Sequence, residues 1–159
     1  MRIRVAVLAA AVLAGVPHTS HAQLITHRDL SLKMALTIAQ SALEVCGDRT
    51  SIVVVDRGGR VRVLLEGDEA SPHNPELARR KAYTARTFRM PSSDWAKRTE
   101  ATNPGQRELA EVIPLGGGMP IKVGDDTIGG VGLSGAVGGQ AQEEKCAIAG
   151  IAKVADQLK

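Results

Sequence analysis

The sequence predicts an α+β fold, in which an antiparallel sheet carries helices on both faces. The elements read in the order helix, two strands, helices, further strands, helix, so strands come in pairs rather than alternating singly with helices. Ser51 to Asp56, SIVVVD, is a β-branched run without polar alternation, as expected of a strand covered on both sides. Ten of the 17 glycines fall between Leu115 and Gly139, beside strand-like residues rather than in a Gly/Ser linker.

The chain opens with the pattern of a secretory leader. Arg2 and Arg4 precede an apolar run, Val5 to Val16, that is too short to span a bilayer. Ser20-His21-Ala22 supplies small residues at −3 and −1 of a cleavage site before Gln23. An uncleaved anchor is the alternative. Residues 1–22 are therefore expected to be removed, leaving 23–159 as one domain in the periplasm or outside the cell. Removal takes His18 and His21 away and lowers the formal charge from +3 to +1, which weakens any argument for nucleic acid. No later segment has the length and apolarity for a membrane helix.

Gln23 to Leu30 reads as an extended lead-in. Ser31 is a fitting N-cap for a helix that runs to about Cys46 and stops at Gly47. Met34, Ile38, Ala42 and Val45 form an apolar stripe on it, beside a stripe of small residues at Ala35, Ala39, Ala42 and Cys46. After the SIVVVD strand, Arg57-Gly58-Gly59 reads as a hairpin turn. Arg60 to Leu65 alternates, with Val61, Val63 and Leu65 on one face.

Gly67 to Asn74 is a polar loop, with Asn74 placed to cap a helix from Pro75 to about Phe88. A short helix capped by Ser92 or Ser93 is expected through Trp95, then a turn at Asn103-Pro104-Gly105 and one helical turn over 107–112. The sheet is expected to resume at Ile113. Pro120 to Val123 and Thr127 to Leu133 make a hairpin about Gly124-Asp125-Asp126. The last helix spans Gln140 to Leu158, with Glu143 and Glu144 near its positive end and a buried stripe of Ala147, Ile151, Val154 and Leu158.

Glycine weakens a strand interior, so Gly129, Gly130 and Gly132 imply close approach by a helix, another subunit or a flat ligand. Gly130 to Gly135 also matches G-x-G-x-x-G. A dinucleotide site needs a strand before the glycines and a parallel strand after the next helix. Here the glycines lie within the strand and the last helix reaches the final residues, so the packing reading prevails.

Taken as an ordered set, SIVVVDRGGRVRVLLEGD, SPHNPELARRKAYTA, LGGGMPI, GGVGLSG and EEKCAIAG resemble the GlcG/HbpS-like, or haem-degrading domain, family. The resemblance covers about Ser31 to Lys159. It implies a profilin-like three-layer α/β/α fold with a five-stranded antiparallel sheet, and homo-oligomers. Some members of the family bind haem, and related domains accompany corrinoid enzymes. In a profilin-like arrangement the first and last helices share one face of the sheet. Cys46 and Cys146 are then expected to meet as a disulfide, which export would preserve. The alternative is two separately buried thiols.

The candidate ligand-binding set is His73, Lys81, Tyr83, Thr84, Gly117, Gly118 and Met119. His73 lies in a polar loop and is the candidate haem-iron ligand; imidazole is one axial ligand that haem accepts. His27, in the lead-in, is a second imidazole. Lys81 suits a propionate or other anion, and Tyr83 suits ring stacking or phenolate ligation. Each has a bland alternative: an exposed loop histidine, a bracing lysine, a packed tyrosine. Met119 reads equally as a soft ligand or a gap-filling apolar residue.

No catalytic set is convincing. Asp56 lacks a base beside it in the sequence pattern, no H-E-x-x-H occurs, and two cysteines 100 residues apart offer no zinc spacing. The resemblance, with the leader pattern, implies an exported haem-binding protein that forms homo-oligomers; contact with nucleic acid or, once processed, with membrane is not expected. The alternatives are an enzyme acting on a small organic acid or on haem, and a non-catalytic partner-binding module.

Overall fold

The protein is described from a computed structural model covering residues 23–159; the expected leader, residues 1–22, lies outside the described residues. Four helices and four strands follow in the order α1 (Leu32–Cys46), β1 (Ser51–Asp56), β2 (Val61–Glu66), α2 (Asn74–Phe88), α3 (Ser92–Ala101), β3 (Gly118–Val123), β4 (Asp126–Ser134) and α4 (Gly139–Ala152). Short 3-10 turns cover Pro104–Glu108 and Ala155–Gln157.

The sheet is antiparallel throughout, in the order β2-β1-β4-β3. Every residue of β1 is buried, as its unbroken apolar run requires. Ile52 and Val54 face one side, packed with Ile38, Ala42 and Ala147 of α1 and α4. Val53 and Val55 face the other, against Ala78 and Ala82 of α2. The result is three layers: α1 and α4, the sheet, then α2.

The sheet has four strands, not the expected five. It does not resume at Ile113, because side chains take up the backbone donors of that segment. Ile113 N donates to Thr84 Oγ1 at 2.9 Å, Gly116 N to Gln140 Oε1 at 2.6 Å and Gly118 N to Ser92 Oγ at 2.8 Å. A segment held this way has few donors left for another strand.

Ser31 caps α1 as expected, its Oγ accepting from Met34 N at 3.2 Å. The buried face of α1 draws on both stripes. Ala35, Ile38, Ala39 and Ala42 are fully covered, whereas Val45 is 53% exposed. The small residues win because α4 approaches closely: a Cβ on Gly150 would stand 2.5 Å from Ile38 O. A disulfide joins Cys46 at the end of α1 to Cys146 at the middle of α4, with the Cα atoms 5.8 Å apart.

Four more local expectations shift. Asn74 is the first residue of α2 rather than its cap; its Nδ2 donates to Arg49 O and its Oδ1 accepts from Ser134 Oγ. The helix α3 runs on to Ala101: beyond Trp95, which stacks on Phe88, Thr99 is also buried, and Arg107 donates to Thr99 Oγ1 and Ala96 O. A register shift opposite Val54 and Val55 turns Val61 away from Val63, leaving Val61 46% exposed. Finally α4 stops at Ala152, and Val154 and Leu158 reach the core from the turn beyond.

The glycines of β4 are explained by a helix. A Cβ on Gly132 would lie 2.1 Å from Ala78 O, and one on Gly130 would lie 2.5 Å from Ala82 O. Alanines on α2 and glycines on β4 together let helix backbone rest on strand backbone.

Candidate functional site

Two adjoining clefts flank Tyr83 on the α2 side of the sheet. The first, about 180 Å³, is lined by Arg57, Gly58, Gly59, Tyr83, Arg86 and Thr87. The second, about 240 Å³, is lined by Tyr83, Thr87, Leu109, Ala110, Glu111 and Val112. Tyr83 and Thr87 belong to both because residues four apart share a helix face.

The β1–β2 turn shapes the first cleft. Asp56 Oδ1 accepts from Gly58 N at 2.8 Å and Arg60 N at 3.0 Å, so this buried carboxylate organises a turn rather than a reaction. Gly59 has φ +78°, and a Cβ there would lie 2.6 Å from Tyr83 Cε2. Only glycine satisfies both demands, and the tyrosine ring rests on the bare backbone. Arg57 is committed elsewhere: its Nε donates to Arg28 O and its guanidinium pairs with Asp126. Arg86 donates from Nε to Arg57 O, which leaves its terminal nitrogens without a carboxylate partner among the described residues. Burial lowers the Arg86 pKa from its ordinary value; the nearby cations Arg57 and Arg89 lower it further, while Asp126 and Asp56 oppose this.

The second cleft is walled by the strap from Leu109 to Ile113. Polar contacts hold this strap to α2. Arg79 pairs with Glu111, Arg80 donates to Val112 O, and Thr84 Oγ1 receives Ile113 N. Leu109 stays 52% exposed at the rim.

Of the residues singled out in the sequence, only Tyr83 lines these clefts. Lys81 is buried two residues before Tyr83, on the opposite face of α2. Its Nζ donates to Glu143 Oε2 at 2.6 Å and to Leu133 O at 3.0 Å, and Glu143 Oε1 accepts from Gly135 N at 2.9 Å. Gly117 and Gly118 make room for this pair and for α2: a Cβ on Gly117 would be 2.4 Å from Glu143 Oε2, and one on Gly118 would be 2.2 Å from Lys81 O. Thr84 is wholly buried and its hydroxyl bonds Arg80 O.

Met119 packs against the α1/α4 core, across the sheet from Tyr83. His73 is exposed at the start of α2, ten residues or about 15 Å along the axis from Tyr83. His27 is exposed in the lead-in. Among the described residues, no group of three or more His, Cys, Asp or Glu is placed to hold a metal ion.

Arg57, Arg86, Thr87, Leu109 and Val112 were not singled out from the sequence. Arg86 and Thr87 carried a signal, lying three and four residues beyond Tyr83 and so on its helix face. Leu109 and Val112 carried none, since their cleft exists only once the strap folds back on α2.

Comparison with known proteins gives a consistent picture. The family described as haem degrading protein, HbpS-like, matches residues 29–152. An uncharacterized 15.0 kDa protein of the dhaT-dhaS intergenic region of Citrobacter freundii is 30% identical over 112 residues, which is 65% of this chain and 75% of that one. A double-mutant form of HbpS from Streptomyces reticuli superposes with TM-score 0.80 at 33% identity, covering 89% of this chain and 98% of the other. The crystal structure of a PduOC:haem complex shares the fold, with TM-score 0.69 at 23% identity, covering 77% and 93%.

Proposed function

Because the chain belongs to the haem-degrading HbpS-like family, we propose that it binds haem or a related tetrapyrrole in the paired clefts about Tyr83. The observation that carries this reading is one aromatic side chain between an apolar-walled cleft and a cationic one. That pairing matches the two natures of the ligand, a flat apolar macrocycle with charged edges. Haem, when bound, supplies the iron chemistry. The chain supplies the surroundings: Leu109 and Val112 offer apolar contact, and the Tyr83 ring offers a stacking face or a phenol able to ligate iron. Lys81 acts through Glu143, bracing α2 against the start of α4 rather than meeting ligand. His73 is the competing iron ligand, exposed and a long way along α2 from Tyr83.

Titration with haemin tests this. A saturable Soret shift at micromolar haemin is expected, with the iron bands altered in Tyr83→Phe and unchanged in His73→Ala. A shift altered only in His73→Ala moves the site to the start of α2. No saturable shift at all ends the haem reading.

Export and self-association complete the proposal. The leader pattern of residues 1–22 and the disulfide both suit an oxidising compartment, the periplasm or the exterior. Leu24 and Ile25, 88% and 78% exposed, are apolar residues that a second copy would cover. Mass analysis of protein from its host should find Gln23 at the N-terminus. Sedimentation should find an oligomer that weakens when Leu24 and Ile25 become Ser; a monomer removes that part.

A further inference from the structure

Arg86 is a cation that makes no salt bridge among the described residues, although Asp126 and Asp56 lie near enough to favour its charge. Of these two carboxylates, Asp126 is paired with Arg57, and Asp56 spends Oδ1 on two turn amides. Arg86 is nonetheless held in place, since its Nε donates to Arg57 O. A guanidinium anchored at Nε presents its two terminal nitrogens as a fixed fork, which matches the two oxygens of a carboxylate. The Tyr83 and Thr87 side chains line the same cleft, and their hydroxyls bond no protein group among the described residues. The glycines of the turn keep that side of the cleft free of side chains. The adjoining cleft is walled by Leu109, Ala110 and Val112.

We propose that Arg86, with the hydroxyls of Tyr83 and Thr87, forms a carboxylate-binding subsite for an organic acid whose apolar body lies against Leu109 and Val112. Burial and the nearby cations Arg57 and Arg89 lower the Arg86 pKa against the pull of Asp126 and Asp56, and a bound carboxylate would add to that pull. A carboxylate is favoured over phosphate because the adjoining cleft, past the shared Tyr83 and Thr87, is walled by apolar side chains. Two sources share this chemistry: the carboxylate edge of a tetrapyrrole, and a free aromatic or aliphatic acid. The first rests on the haem reading above; the second does not.

Four probes separate these cases: haemin, its dimethyl ester, 1-naphthoate and 1-naphthamide. Each is titrated against the wild-type chain, Arg86→Gln, Arg86→Lys and Tyr83→Phe, after thermal melts show which variants fold. For whichever acid binds, Arg86→Gln is expected to weaken affinity about tenfold or more. Arg86→Lys should recover part of that loss, because it keeps the charge and loses the fork. The ester and the amide should bind weakly and be indifferent to residue 86. If haemin fails and naphthoate binds through Arg86, the haem reading falls and the subsite stands. If haemin binds equally to all variants and naphthoate does not bind, the subsite is overturned while haem binding survives. Failure of both acids overturns the subsite. Should Arg86→Gln not fold, Arg86→Lys and Tyr83→Phe carry the test: undiminished affinity for the acid in both overturns the subsite.

Discussion

At the scale of single residues, the buried pair of Lys81 and Glu143 decides the most. Their side chains are 3% and 5% exposed. Such a pair contributes little net stability when intact, but losing one partner strands a charge and costs about 3–5 kcal/mol. Lys81→Met alone and Glu143→Leu alone should each lose that much in urea unfolding, while the double variant recovers most of it. Equal losses that simply add would show the two act independently.

Glu76 is a milder case. Its hydrogen bond with Arg79 lowers its carboxyl pKa against the opposing effect of burial. A carboxyl lowered on folding adds stability above its unfolded pKa and loses it as pH falls through the folded value. Glu76→Gln should therefore be less stable than wild type at pH 7, by no more than about 0.5 kcal/mol given its exposure. The difference should vanish in acid; a gap that persists at pH 2 would assign the effect to packing.

At the scale of elements, α2 against β4 is the contact that positions the clefts. Helix and strand backbones meet where Gly130 and Gly132 face Ala78 and Ala82. Gly132→Ala would push α2 outward, because the obstructing atom is a backbone carbonyl that cannot rotate aside. A loss of about 2 kcal/mol or more is expected. Gly105→Ala, with nothing within 4 Å, should stay within about 0.5 kcal/mol. Equal stability of the two variants in chemical denaturation would refute the close-approach account. Displacing α2 also moves Tyr83 and Arg86, so the first variant should lose ligand affinity too.

For the whole molecule, the disulfide closes the chain across a sequence separation of 100, joining α1 to α4, the first and last α-helices among the described residues. Reduction is expected to destabilise the fold by up to about 4–5 kcal/mol in the chain-entropy model. That corresponds to a fall in Tm of about 2–4 °C per kcal/mol for a chain of this size. The bond also fixes the middle of α4, and Glu143 lies about one turn before Cys146. Reduced protein should therefore exchange the amide protons of α4 and of Gly116 to Gly118 faster than those of β1. A melting curve unchanged by reductant would remove this role.

The sequence by itself determined what short-range physics controls. The β-branched run from Ser51 to Asp56, the glycine turn after it, the Ser31 cap and the Gly47 stop are settled within a few residues, and all stand where they were expected. Cys46 and Cys146 were also legible as a pair, since the family resemblance already placed the two helices together. The partner of Lys81 was not legible: Glu143 lies 62 residues away, and nothing local to either marks the other. Nor was the fate of Ile113 to Gly118, where side chains from α2, α3 and α4 took the backbone donors that a fifth strand would have used. The clefts about Tyr83 draw on the β1–β2 turn, α2 and the strap at once. Periodicity assigns each of these its element and its buried face. Only packing the three layers brings them within reach of one ligand, because that depends on which backbones approach closely enough to touch.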